Sequence, residues 1–251
     1  MRETDFIGGL AKGLKVIEAF GEKSQRLSIA DMARLTGLDR ATARRSLLTL
    51  AELGYADYDG KFFSLTPKIL RLGHAYLSTT PLPVIVQPFL DQLSEKVGQS
   101  VSASVLEGAS ITYVARAAHR RVMSINLLPG SRLPAYCSSM GRVLLASLPP
   151  DAQAALLAAS DLRANTPFTL TDPPALMAEL AKVARQGFAL IDQELEIGLC
   201  SIAVPVLNAR GKTVAAINIG APAASIAAEQ MPARYFDLLV ATRDAIRPLL
   251  A

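Results

Sequence analysis

Arg40, Arg44 and Arg45 crowd one short stretch together with Ala41 and Thr42, and no acid follows them until Glu52. Guanidinium groups grouped in this way suit phosphates and guanine edges, although arginines on an exposed helix face are often simply solvated. A second stretch, Cys137 to Arg142, sets small hydroxyl residues and a glycine just before an apolar helix. Backbone amides and the helix dipole there would seat a carboxylate, and an ordinary N-cap would look similar. A third group, Asp192, Glu194 and Glu196, follows a strand and could do acid/base work or hold a metal. Against that, loop carboxylates are usually solvated, and the histidine or cysteine partners of many transition-metal sites are missing.

The search for other chemistry gives little. Gly8 to Gly13 has the spacing of a phosphate loop, but Leu14 stands where lysine should be. The chain has no HExxH, no GxSxG and no dinucleotide fingerprint. His74 and His119 are its two histidines, and neither has an evident nucleophile or metal partner. Cys137 and Cys200 lie far apart without CxxC spacing and read as buried thiols. The expectation is therefore no catalytic residue, no metal and no cofactor.

The arginines need a scaffold, and Ser28 to Leu53 supplies one. Ser28 is a natural N-cap whose hydroxyl can accept from the amide near Asp31, with Met32, Ala33 and Leu35 on the apolar side. Gly37 provides the left-handed residue that ends this helix, and Asp39 caps the next, in which Ala43, Leu47, Leu50 and Ala51 recur at helical spacing. Two short helices around a glycine turn make a helix-turn-helix. Leu10, Leu14, Ile17 and Phe20 predict a first helix lying across the pair. Beyond Gly54, two alternating segments flank Asp59-Gly60, a two-residue hairpin signal in which both turn positions need positive φ. Helix-turn-helix plus hairpin is a winged helix, which would place the second helix in the major groove and Lys61 beside the duplex. Ser28, Arg40, Ala41, Thr42, Arg44, Arg45 and Lys61 are the expected DNA-binding residues. Winged helices also mediate protein contacts, but three arginines on the presented helix argue for DNA.

Charge agrees. Residues 1–80 hold 12 Lys+Arg against 9 Asp+Glu, and the rest hold 14 against 13, within a net +4 over 251 residues. Hydrophobic residues make up 51% and charged ones 19%, a globular balance with room for two cores. No apolar run is long enough to span a bilayer, and the start is too charged for a signal peptide, so the expected location is cytoplasmic and away from membranes.

Thr66-Pro67 opens a helix over Lys68 to Leu77, with Ile69, Leu72 and Tyr76 as a stripe for a second subunit or the next domain. Pro81 and Pro83 then mark a boundary. The domains expected are 1–66 (winged helix-turn-helix), 67–81 (linker helix and hinge) and 82–251. In the last, a helix is expected over Val84 to Val97, with Pro88 tolerated near its first turn. Strands are expected at Ser100 to Glu107, Ile111 to Ala117, Met123 to Leu128, Phe188 to Asp192, Leu199 to Leu207 and Val214 to Gly220. Further helices are expected at Val143 to Leu148, Asp151 to Ala159, Pro174 to Gln186 and Glu229 to Leu250. The fold class is α+β, an antiparallel sheet flanked by helices.

Three stretches, LSIADMARLTGLDRATARRSLLTLAELGYA, LPAYCSSMGRVLLA and GFALIDQELEIGLCSIAVPVLNARGKTVAAINIGAP, carry a resemblance to the IclR (isocitrate lyase regulator) family of bacterial transcription regulators. DQELEIGLCSIAVPV and AYLSTTPLP look like the branch that controls protocatechuate, 4-hydroxybenzoate and β-ketoadipate catabolism. The resemblance implies a GAF-like effector domain and a homodimer or dimer of dimers on a palindromic operator in double-stranded DNA. It also implies effector contacts at Ser139 and Met140, Asp192 and Ser201, and Asn218 and Gly220. Ser138 and Gly141 of the anion seat, and Glu194 of the carboxylate group, complete the expected effector-binding set, and the effector is a small carboxylate. Two other readings stay open: an enzyme using Asp192 to Glu196, and a constitutive DNA-binding protein whose second domain only oligomerises.

Overall fold

Ser28 begins the first motif helix as expected. In the computed structural model, which describes residues 6–21, 24–118 and 127–250, its hydroxyl accepts from the Asp31 amide while the Asp31 carboxylate accepts from the Ser28 amide. This reciprocal cap opens α2 (Ile29–Thr36), and Gly37 ends it at φ 68°. Asp39 accepts from the Thr42 amide at 2.8 Å to open α3 (Arg40–Glu52). The wing is a short antiparallel pair, β1 (Ala56–Tyr58) and β2 (Phe63–Leu65).

Preceding these, α1 (Gly8–Glu18) buries Val16, which joins Leu27, Met32, Ala43, Leu47, Leu50, Ala56 and Phe63 in one small core. The expected stripe is thus corrected: Leu10 and Leu14 are 62% and 47% exposed, because α1 turns the Val16 side inward. Leu35 is likewise exposed, and Thr36 takes the inward place, its hydroxyl bonded back to the Met32 carbonyl.

The wing turn also differs from the two-residue form. Tyr58 pairs with Phe63, leaving four residues to turn, and only Gly60 has positive φ, at 97°. The Asp59 carboxylate accepts from the amides of Lys61 (3.0 Å) and Phe62 (2.8 Å), a side-chain-capped turn that a tight hairpin has no room for. After a single 3-10 turn at Pro67–Ile69, α4 (Leu70–Thr79) runs with none of its residues buried.

The chain divides into two units, Met1–Thr79 and Thr80–Ala251. Thr80 is extended, and α5 (Pro81–Val97) starts with both prolines in its first turn. Pro88 therefore falls in the helix interior rather than near its start. The carbonyl that loses its partner belongs to the exposed Val84, where water can reach it.

Among the described residues, the second unit is built on six antiparallel strands in the order β5-β4-β3-β8-β7-β6. These are β3 (Ser100–Glu107), β4 (Ser110–Ala117), β5 (Arg132–Pro134), β6 (Ala189–Asp192), β7 (Leu199–Leu207) and β8 (Thr213–Pro222). The expected strand at Met123 to Leu128 falls mostly outside the described residues, as does His119; the short β5 was not anticipated. One face packs on α5 and α9 (Met231–Ile246) through Val101, Ala103, Ile202, Val204, Ile217 and Ile219. The other supports α6 (Ser139–Ala146), with α7 (Pro150–Ala158) and α8 (Pro173–Gln186) behind it. Helix α6 starts a turn before the expected Val143, because Ser138 caps it by accepting from the Gly141 amide.

Strand alternation then sorts the residues that matter. On β3, Val101 and Ala103 enter the first core, while Ser100, Ser102 and Ser104 face α6. Their neighbours across β8 on that face are Gly220, Asn218 and Ala216. A polar patch thus sits mid-sheet opposite the start of a helix.

Candidate functional site

In the first unit, Arg40, Ala41, Arg44 and Arg45 are all exposed along α3, and Lys61 is exposed on the wing. Thr42 is the exception at 8% exposure: it faces inward, with its amide on Asp39 and its hydroxyl accepting from Arg45. It is corrected to a structural role, since it offers almost no surface to a base. The Ser28 hydroxyl is likewise engaged, donating to the Asp31 carboxylate at 2.6 Å while it accepts from the Asp31 amide.

Arg26, outside the expected DNA-binding set, joins Lys61 at the wing. This residue ion-pairs with Asp59 and lies 5.3 Å from the Phe62 ring centre, with Lys61 Nζ 5.1 Å from the same ring. The two cations therefore share one aromatic support at the wing tip. The Phe62 amide, then that of Lys61, holds the Asp59 carboxyl below the usual carboxylate range, and the Arg26 pair adds to this. The Arg26 contact spans 33 residues of chain, so local spacing gives no sign of it.

The second unit holds a narrow cleft of about 30 Å³ between the sheet and the start of α6. Ser138, Ser139 and Met140 line it from α6, and Ser201, Asn218 and Gly220 line it from β7 and β8. Six of the nine expected effector residues are thus brought together. Ser201 donates to the Ser139 hydroxyl at 2.9 Å, and the Ser104 hydroxyl donates to Met140 Sδ at 3.3 Å. Asn218 Oδ1 is buried in the cleft wall with no hydrogen-bond partner among the described residues. A ligand donor there would satisfy it.

The other three lie elsewhere, each for a definite reason. A Cβ on Gly141 would sit 2.2 Å from the Ala135 carbonyl oxygen, so this glycine permits close backbone packing and offers nothing to the cleft. Along β6, Ile191 faces the cleft, so Asp192 points to the opposite face, where Cys200 Sγ donates to it at 3.1 Å. Glu194 is buried in a two-point pair with Arg142, at 2.7 and 2.6 Å. It accepts from the Leu170 amide as well, while Arg142 Nε donates to the Tyr136 carbonyl. Glu194 is thus neither the cleft-lining effector contact expected from sequence nor a solvated loop carboxylate. It ties the first turns of α6 to the loop between β6 and β7.

The residue with most to offer a ligand is Arg116, on β4, which is not among the residues expected from sequence. It lines the cleft and donates from Nη1 to the Ser102 hydroxyl at 2.9 Å. Burial lowers its pKa from the ordinary arginine value, and Tyr113 partly opposes this. No carboxylate pairs with it among the described residues, so an anion entering the cleft would meet an unneutralised, partly desolvated guanidinium. Beside it, burial pushes the Tyr113 hydroxyl up to about 12 and the Cys137 thiol to about 11. Leu195, Leu199 and Ile191 complete an apolar wall. The alternation of Ser100, Ser102 and Ser104 along β3 is a sequence signal that points to this face beside the residues already expected there. Arg116 needed the β3–β4 register, which sets it opposite Ser102.

Comparison with known proteins follows this division of the chain. Residues 9–60 match the IclR helix-turn-helix domain, and residues 74–247 match the family described as bacterial transcriptional regulator IclR C-terminal. The Pca regulon regulatory protein of Pseudomonas putida is 45% identical over 249 residues, spanning 98% of this chain and 86% of the relative. The p-hydroxybenzoate hydroxylase transcriptional activator of Acinetobacter baylyi is 38% identical, with 100% and 94% covered. Among solved structures, the inducer-binding domain of a double mutant of PobR from Acinetobacter, in complex with 3-hydroxybenzoic acid, superposes with a TM-score of 0.63 at 32% identity. It covers 67% of this chain and 98% of that one.

Proposed function

Because the chain belongs to the IclR family of bacterial transcriptional regulators, we propose that it couples an aromatic-acid cleft in its sheet unit to an operator-reading winged helix, in control of aromatic catabolism. The observation that carries the sensor half is Arg116, a cleft-lining guanidinium without a carboxylate partner among the described residues. It would take the carboxylate of the acid. The hydroxyls of Ser138, Ser139 and Ser201 and the unpartnered Asn218 oxygen would take ring substituents such as a phenolic hydroxyl.

A cleft of about 30 Å³ has room for roughly one water, less than a benzoate ring requires. Binding therefore has to widen it. The apolar side chains that would have to give way are Met140, Leu195 of the β6–β7 loop and Leu199 at the start of β7. That loop holds Gln193 at φ 55°, a left-handed conformation unusual for a residue with a side chain, closed by the Gly198 amide donating to Gln193 Oε1 at 3.0 Å. Effector binding coupled to loop displacement provides the two states that a switch needs, and couplings of this kind amount to about 1–3 kcal/mol.

A non-catalytic role suits the same cleft. Tyr113 and Cys137 stay protonated at neutral pH and Arg116 stays charged, so these groups supply no general base or thiolate. On the output side, α3 would enter the major groove, with Arg40, Arg44 and Arg45 contacting bases or phosphates and Lys61 beside the backbone. The exposed Leu70, Leu72, Tyr76 and Leu77 of α4 support a homodimer, as a palindromic operator would require.

Calorimetry of the purified chain with protocatechuate, 4-hydroxybenzoate and β-ketoadipate tests the sensor. Saturable heat from one of them is expected, and silence from all three removes the assignment to aromatic catabolism.

A further inference from the structure

The glycines of α1 have no reason within the fold. Gly9 and Gly13 lie one turn apart on a regular helix, and a Cβ added to either meets nothing within 4 Å. Each weakens the helix relative to alanine. One further turn along, Val16 is fully buried and closes the packing of α1 on the core. Toward the helix start, the missing side chains leave an open groove of about 300 Å³ between α1 and α3.

The lining of this groove is selective. Lys12 from α1 and Arg45 from α3 contribute two cations, with Thr42, Ser46 and Thr49 as hydroxyls, and no carboxylate is among the lining residues. Neither cation is in an ion pair among the described residues; Arg45 donates to the Thr42 hydroxyl at 3.4 Å and acts on Asp39 only at longer range, and the first turn of α1 contains no acid. The Ser46 hydroxyl has no partner among them either. A second copy of the chain would bring the same positive charge into the groove under two-fold symmetry. A phosphodiester brings the opposite charge, and acceptor oxygens for both cations and the hydroxyl.

Resting on the DNA-binding reading above, we infer that the groove between α1 and α3 seats a phosphate of the DNA backbone, held between Lys12 and Arg45. The glycines let the strand approach the helix backbone closely. Helix α1 then belongs to the DNA interface, and Arg45 contacts the backbone, leaving base recognition to its neighbours on α3. A phosphate clamp of this kind fixes the register of α3 on the duplex without reading sequence.

The test is equilibrium binding of the full chain to a mixed-sequence 25-base-pair duplex across a salt series, with sedimentation in parallel. Lys12→Gln is expected to lower the slope of log affinity against log salt by about 0.9, the value for one lost phosphate contact, and Lys12→Arg to restore it. Gly9→Met, which fills the groove without touching a charge, should reproduce the Lys12→Gln loss. An unchanged slope in Lys12→Gln overturns the inference. So does a weakened self-association with unaltered DNA binding, which would assign the groove to a second copy. If the unmodified chain fails to bind the duplex at low salt, the DNA-binding reading itself fails; normal binding with indifferent variants removes only the clamp.

Discussion

Arg142 and Glu194 meet inside the sheet unit through two parallel hydrogen bonds of 2.7 and 2.6 Å, with the Arg142 side chain only 2% exposed. Glu194 also takes the Leu170 amide, and its own carbonyl accepts from Thr169. One ion pair therefore holds together the start of α6, the β6–β7 loop and the segment before α8. Both walls of the cleft hang on it.

Removing either partner leaves a buried charge uncompensated, at a cost of about 3–5 kcal/mol. Glu194→Ala and Arg142→Ala should each lower the urea midpoint of the sheet unit accordingly. The double variant to apolar residues should recover part of the loss, because no charge is then stranded. A single variant that costs less than about 1 kcal/mol would show the pair to be dispensable.

Arg116→Gln should keep the far-ultraviolet circular dichroism of the unmodified chain, since its guanidinium bonds a serine hydroxyl rather than a carboxylate. Effector affinity should fall by about 10- to 150-fold, the worth of one charged hydrogen bond of about 1.5–3 kcal/mol. Calorimetry against the best ligand gives the ratio. Full affinity in Arg116→Gln would mean that the carboxylate sits at the start of α6 instead.

What could be read from the chain was what local chemistry decides. Ser28, Gly37 and Asp39 act on amides and dihedral angles within three residues of themselves, and each does what its type suggests. Strand β7 spans Leu199–Leu207, as expected around the alternating β-branched Ile202, Val204 and Val206. Readings failed where a distant partner decides. Leu10 and Leu14 have helical spacing, but the core selects Val16. Asp59-Gly60 has the dipeptide of a tight turn, but the Asp59 side chain builds a wider one. At the cleft, the serines at the start of α6 were visible as a local cap. Asp192 and Glu194 were misplaced because one step along a strand reverses the face, and because the Arg142 partner lies 52 residues away. Arg116 enters the site only through strand pairing.

On α3, exposure separates residues that spacing groups together. Arg44→Ala should reduce operator affinity at matched salt by about 1–3 kcal/mol if it reads a base, with relaxed preference at that position. Thr42→Ala should cost much less, because its side chain is largely buried and reaches the interface only through the hydrogen bond its hydroxyl accepts from Arg45. Gel-shift titrations with a selected operator distinguish them, and equal losses would contradict the inward placement of Thr42.

Protonation should act on the two units from opposite ends of the pH scale. Asp31, Asp39 and Asp59 are held below the ordinary 3.8: by the Ser28 hydroxyl and amide, by the Thr42 amide, and by the Phe62 and Lys61 amides respectively. Folded values below unfolded ones give stability that is present above about pH 4 and lost as pH falls through the folded values. In the sheet unit, burial raises Cys137 from 9.0 to about 11, Cys200 from 9.0 to about 12 and Tyr113 from 10.0 to about 12, with Asp192 adding to the Cys200 shift. Groups kept neutral in the fold contribute stability below about pH 9 and lose it as pH rises toward 11–12, because the unfolded chain ionises first. Hydrogen exchange read separately for residues 6–79 and 80–250 should show the winged unit opening first in acid and the sheet unit opening first in alkali. Loss of protection in the same order at both ends would contradict these shifts.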